Sequence, residues 1–105
     1  MAGRPLDAIQ MATTIGVIHL GLRVAQASSL KDKRRIVKGF KDRLRHRHNV
    51  SVAEVDDLDN HRSAVLAVAI VSGDRRYAEG VAQKIVDAAT NHRDMVLTDC
   101  DIDWL

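Results

Sequence analysis

With 105 residues, 46% of them hydrophobic, the chain has apolar mass for one core and too little length for a second domain. Its 16 Lys+Arg against 14 Asp+Glu leave a net charge of +2, which excludes the apolar-poor, charge-unbalanced composition of a disordered chain. The longest uncharged apolar run, Ser63–Gly73, falls well short of the ~20 apolar residues a bilayer span needs. No hydrophobic signal segment opens the chain, and the single cysteine, Cys100, has no partner for an internal disulfide. A cytoplasmic protein without membrane contact is the expectation.

Residues 1–13 carry the only proline, Pro5, and no sustained period, and read as a loosely ordered extension ahead of a single domain at 14–105. Met11 offers a second start within it. From Thr14 to Ala25 the residues alternate, with Gly16, Ile18, Leu20, Leu22 and Val24 on one side and Val17, His19, Gly21 and Arg23 on the other, the period of a half-buried strand. Ser29 with Asp32 three positions on has the form of a capping box. It opens a helix over about 30–47, whose core face gathers Leu30, Ile36, Val37, Phe40, Leu44 and the stem of Lys33. Val50–Val55 reads as a second strand, and residues 56–60 as a polar turn.

Arg62–Val71 is apolar on both faces, the pattern of a strand in the middle of a sheet. Ser72-Gly73-Asp74 caps a second helix over about 75–91, with Tyr77, Ala78, Val81, Ala82, Ile85, Ala88 and Ala89 on its core face. Met95–Trp104 alternates again, setting Val96, Thr98, Cys100, Ile102 and Trp104 against Leu97, Asp99, Asp101 and Asp103. On this parity Cys100 is a small core residue. The order strand, helix, strand, strand, helix, strand, with right-handed crossovers, predicts an α+β ferredoxin-like βαββαβ domain. Its four-stranded antiparallel sheet runs 4-1-3-2, with both helices on one face.

Ser29-Leu30-Lys31-Asp32-Lys33-Arg34-Arg35, then Asn49-Val50-Ser51-Val52-Ala53-Glu54-Val55 and Ala64-Val65-Leu66, together with Ile15-Gly16-Val17, resemble the YlxP-like family of small bacterial proteins. The likeness runs from about Thr14 to Trp104. The resemblance implies a ferredoxin-like domain of unknown function. It also implies RNA or ribosome association, because genes of that family often lie among those for transcription elongation, translation initiation and ribosome maturation. It assigns no catalytic residue.

The first helix carries the strongest charge signal. Leu30–His48 holds nine Lys+Arg against Asp32 and Asp42, a local +7. Lys31, Lys33, Arg34 and Arg35 crowd the N-terminal end, where each exposed cation opposes the helix dipole by roughly 0.3–1 kcal/mol at low salt. A helix selected for its own stability would not place four cations there. A stripe of Lys31, Arg34, Arg35, Lys38, Lys41 and Arg45 is therefore the candidate surface for tracking the phosphates of RNA. The competing reading is a solvated face. Glu54, Asp56, Asp57 and Asp59, at the same end of the domain, would offset Lys31, Arg34 and Arg35 through surface pairs worth about 0–1 kcal/mol each.

The second candidate surface is the open face of the sheet, with Val17, His19 and Arg23 beside Val65, Ala67 and Ala69. An apolar strip facing water fits a partner interface, so a homodimeric binding or regulatory module is the alternative function. His19, Arg23 and the Asp99/Asp101/Asp103 ladder would rim it. Strands one and three present no aromatic side chain on that face, which argues against base stacking on the sheet. The five histidines are scattered, and no cysteine pair or His-Glu spacing completes a zinc site. No phosphate loop, nucleophile elbow or dinucleotide fingerprint is present. The sequence points to a non-enzymatic protein without metal or cofactor.

Overall fold

The computed structural model describes residues 12–105. The expected loose extension, up to residue 11, and the alternative start at Met11 lie outside the described residues. The elements are β1 (Thr14–Arg23), α1 (Leu30–Arg47), β2 (Val50–Asp56), β3 (Ser63–Ser72), α2 (Arg75–Thr90) and β4 (Val96–Trp104). All strand pairs are antiparallel, in the order β2-β3-β1-β4. This is the ferredoxin-like α+β arrangement, and the wholly apolar β3 does occupy a central position. No helix among the described residues is long and apolar enough to cross a membrane.

Alternation decides which side of the sheet is buried. Ile18, Leu20 and Leu22 of β1, Ala64, Leu66, Val68 and Ile70 of β3 and Val52 of β2 form one core with Val37, Phe40 and Leu44 of α1 and Ala78, Val81, Ala82, Ile85 and Ala89 of α2. Both helices therefore lie on the same face. The other face carries Val17, His19 and Gly21 against Ala69, Ala67 and Val65, with Asp103, Asp101 and Asp99 of β4 opposite them.

The helix caps follow their residues. The Ser29 side chain accepts the Asp32 backbone N–H at 3.1 Å, while the Asp32 carboxylate reaches back to the Ser28 N–H at 3.2 Å and its hydroxyl at 2.7 Å. This is a capping box displaced by one residue. Asp74 caps α2 by accepting the Tyr77 N–H at 3.1 Å.

Two expectations fail at the edge strand and one on α2. In β4 the pairing skips Thr98: Gly21 faces Asp99 and Leu22 faces Leu97. That bulge reverses the side-chain parity. Leu97 packs on the core and Val96 turns outward, opposite to simple alternation. Cys100 keeps the expected parity but is exposed, because β4 lies at the edge and is left uncovered at that position. Tyr77 is 67% exposed, in the first turn of α2, where Ala78 takes the core position.

One close approach requires glycine. Trp104 lies over Gly16 on the adjacent strand, and a Cβ at Gly16 would stand 2.7 Å or less from two atoms of the indole ring. The Arg75 guanidinium sits 4.3 Å from the centre of that ring, a cation–π contact joining α2 to the sheet edge.

Candidate nucleic-acid interface

The cations of α1 divide into three groups by what they meet. Lys33 belongs to the core face and is fully buried. Its ammonium donates to the Asp57 carbonyl at 2.6 Å and lies 2.7 Å from Glu54 Oε2. That buried oxygen has no aligned hydrogen-bond donor, so charge rather than directed bonding holds the pair. Asp57 has φ 59, in the left-handed region, which Asp tolerates better than most residues. The Asp56 carboxylate accepts the Asp57 N–H at 2.8 Å, and Asp57 Oδ2 accepts the Ser63 hydroxyl at 3.0 Å. The turn thus turns a carbonyl toward the lysine.

This settles where the acidic turn spends its charge. Glu54 pairs with Lys33, and no carboxylate among the described residues forms an ion pair with Lys31, Arg34 or Arg35. The expected compensation falls on Lys33, the one fully buried cation of α1.

The second group, on the flank toward β2, contains Lys31, Arg34, Lys38, Lys41 and Arg45. Asp42 pairs with Lys38 at 2.7 Å and with Arg45 at 3.4 Å, and Arg45 also donates to the Val52 carbonyl at 2.7 Å. The Lys38 hydrogen bond holds the Asp42 carboxyl below its usual range. The hydrogen bonds from Ser28, ahead of the charges of Arg35 and Lys31, do the same for Asp32.

Arg35, expected in that same stripe, is instead on the opposite flank. There it joins Arg43 and Arg47, one side of a cleft of about 490 Å³ closed by the α2–β4 connection with Asn91, His92, Arg93 and Asp94. Ile36, Gly39, Phe40 and Ala88 also line it. His92 meets Phe40 edge-on, ring centroids 5.5 Å apart, and accepts the Asp94 N–H at Nδ1 over 3.0 Å. Partial burial, then the charge of Arg43, keeps the His92 pKa below its usual value. His48, near Lys84 and Arg47, is lowered in the same way, again chiefly by burial. Sequence reasoning missed Arg43, Arg47 and Arg93 as a group. The four-residue spacing of Arg35, Gly39, Arg43 and Arg47 is readable, but Arg93 comes from a distant segment.

The open sheet face brings these residues together across β1 and β3. Val17 pairs with Ala69, His19 with Ala67 and Arg23 with Ser63. Val17, Val65, Ala67 and Ala69 are half-buried, while His19 and Arg23 are exposed. The Cys100 thiol is pushed up by desolvation and then by Asp101, which disfavours the nucleophilic thiolate. No group of three or more metal-ligating side chains occurs among the described residues.

The fold and this surface define a small ferredoxin-like α+β domain with a basic first helix. Residues 15–102 match the family DUF503, described as a protein of unknown function, and the chain belongs to that family. No curated protein matches it. Among solved structures it is similar to the de novo designed protein Foldit4, with 14% identity, a TM-score of 0.55, and coverage of 89% of this chain and 96% of that one. A likeness at that identity concerns the fold alone.

Proposed function

We propose that this DUF503 domain is a YlxP-like, non-enzymatic bacterial protein of the cytoplasm that associates with RNA or the ribosome, holding phosphate backbone through α1. One observation carries the reading. Lys31, Arg34 and Lys41 make no ion pair among the described residues, and Glu54, a candidate to offset the helix start, pairs instead with the buried Lys33. Cations left without partners on an exposed helix are suited to phosphate, where they supply affinity with little sequence choice.

The test is a salt series on ribosomal RNA fragments, read by fluorescence anisotropy. Changing Lys31, Arg34, Lys38 and Lys41 together to Gln should flatten the slope of log affinity against log salt by up to about 3 to 4 units, taking duplex DNA as the guide, and weaken all sequences alike. Equal affinity and equal slope for the two proteins would reject the reading.

A second reading has its own support. Beyond the half-buried strip of Val65, Ala67 and Ala69, the cross-strand pair Ile15 and Val71 is exposed on the same open face, Val71 to 62%. A second copy of the chain would cover that strip. Ala67→Asp would then bury an unpaired charge and give a folded monomer. A wild-type protein that is monomeric by light scattering at high concentration would exclude it.

A further inference from the structure

We infer that the cleft between α1 and the α2–β4 connection is a binding site for phosphate groups, formed by Arg35, Arg43, Arg47 and Arg93. It is on the flank of α1 opposite Lys38 and Lys41, and it does not rest on RNA binding by that flank.

The charge balance of the cleft is one-sided. Four guanidinium groups line it against one carboxylate, Asp94, which Arg93 meets at 3.7 Å. Arg35, Arg43 and Arg47 form no ion pair among the described residues. Like charges gathered around one concavity repel each other, and their field is focused there by apolar walls. Phe40, Ile36 and Ala88 supply such walls. An anion carrying more than one negative charge relieves that repulsion.

The donors also suit phosphate. A guanidinium presents a planar fork that meets phosphate oxygens through two parallel hydrogen bonds. Arg43 and Arg47 are one helical turn apart, and Arg93 approaches from a different element, so donors converge from more than one direction. Between Arg35 and Arg43 the helix presents Gly39, where an added Cβ would meet nothing within 4 Å. The helix surface there is open to close approach by a ligand. The cleft adjoins a smaller hollow of about 230 Å³ lined by Gln26, Asp32, Arg35, Ile36, Arg93 and Asp94, whose two carboxylates balance its two arginines, so the uncompensated positive charge lies toward Arg43 and Arg47.

Two sources supply this chemistry, a nucleic-acid backbone and a free phosphorylated small molecule. Inorganic pyrophosphate serves as the probe, titrated at low salt into the full chain and followed by the NMR signals of His92, Gly39 and Asp94. Saturable shifts at these three residues are expected. Arg43→Gln with Arg47→Gln should weaken binding about tenfold or more, the loss of two charge-assisted contacts. Arg93→Gln, at a side chain 91% exposed, should weaken it without disturbing the fold. Lys38→Gln with Lys41→Gln should leave it unchanged. An RNA oligomer that displaces pyrophosphate identifies the source as backbone phosphate; failure to displace it identifies a free phosphorylated ligand. Absence of saturable shifts, or binding unchanged in the Arg43/Arg47 and Arg93 variants, overturns the inference. Pyrophosphate bound in the cleft by a protein that has no affinity for RNA would defeat the reading under Proposed function and leave this one standing.

Discussion

The two flanks of α1 carry the same sign of charge and treat it differently. On the flank toward β2, Asp42 pairs with Lys38 and Arg45, and Arg45 is also tied to the Val52 carbonyl, while Lys31, Arg34 and Lys41 form no ion pair among the described residues. On the core face, Lys33 is buried with Glu54. On the cleft flank, Arg35, Arg43 and Arg47 have no such partners among the described residues, and a fourth arginine is brought opposite them. Local charge density alone does not separate a structural cation from a binding cation. What separates them is whether the fold delivers an acceptor to each one.

The largest expected effect breaks the structural side. Glu54→Leu strands the buried Lys33 ammonium, and the loss should be about 3–5 kcal/mol, seen as a lowered urea midpoint. That is a large share of the roughly 5–15 kcal/mol that holds a typical domain. Lys33→Met combined with Glu54→Leu should recover most of it, since both charges are then gone.

Gly39→Ala sharpens the functional side. In an exposed helix interior the exchange should stabilise by about 1 kcal/mol, because nothing crowds the new methyl group. The same methyl group lies in the lining of the cleft and should weaken pyrophosphate binding. Gly80→Ala, also in open surroundings on α2, should stabilise comparably and leave binding alone. Thermal unfolding with and without pyrophosphate reads both effects.

Single Gln replacements at Lys31, Arg34 or Lys41 should change stability by no more than about 0.5 kcal/mol each, checked by urea unfolding, although each removes a cation from the flank proposed to meet RNA. Acid should produce the last and smallest effect. His92 and His48 have folded pKa values below the usual 6.5. The folded state therefore binds fewer protons than the unfolded chain. Their stabilising contribution is complete above 6.5 and is lost as the pH falls through the folded values. Asp32 and Asp42, held below 3.8, contribute above that value and lose their effect only at lower pH. Urea midpoints between about pH 7 and 5 should decline with acid, and less so in His92→Gln.

The fold was legible because each strand carries its own sign of burial. The alternation of β1 and the two-faced apolar run of β3 are local patterns, and together with the short turn after β2 and right-handed crossovers they leave few topologies. The bulge at Thr98 was not legible, since one skipped residue alters pairing without altering the alternation of residue types. Tyr77 was misplaced because a helical wheel has no knowledge of where the sheet ends. The basic helix was legible as a helix and as a charge, and so was the capping box at Ser29 and Asp32. Its division into flanks was not. Arg35 lies near the boundary opposite the core, and only the position of the α2–β4 connection, fixed by tertiary packing, assigns it to the cleft.

Trp104 gives the molecule a built-in optical reporter. It is the only tryptophan in the chain, and it rests between Gly16 of the neighbouring strand and the Arg75 guanidinium. Its emission therefore records one event, the seating of the last strand against the first. If β4 peels away before the centre of the sheet melts, the indole becomes solvated and its fluorescence shifts to the red ahead of the loss of helical ellipticity. If the two signals change together, the edge strand and the core share a single cooperative unit.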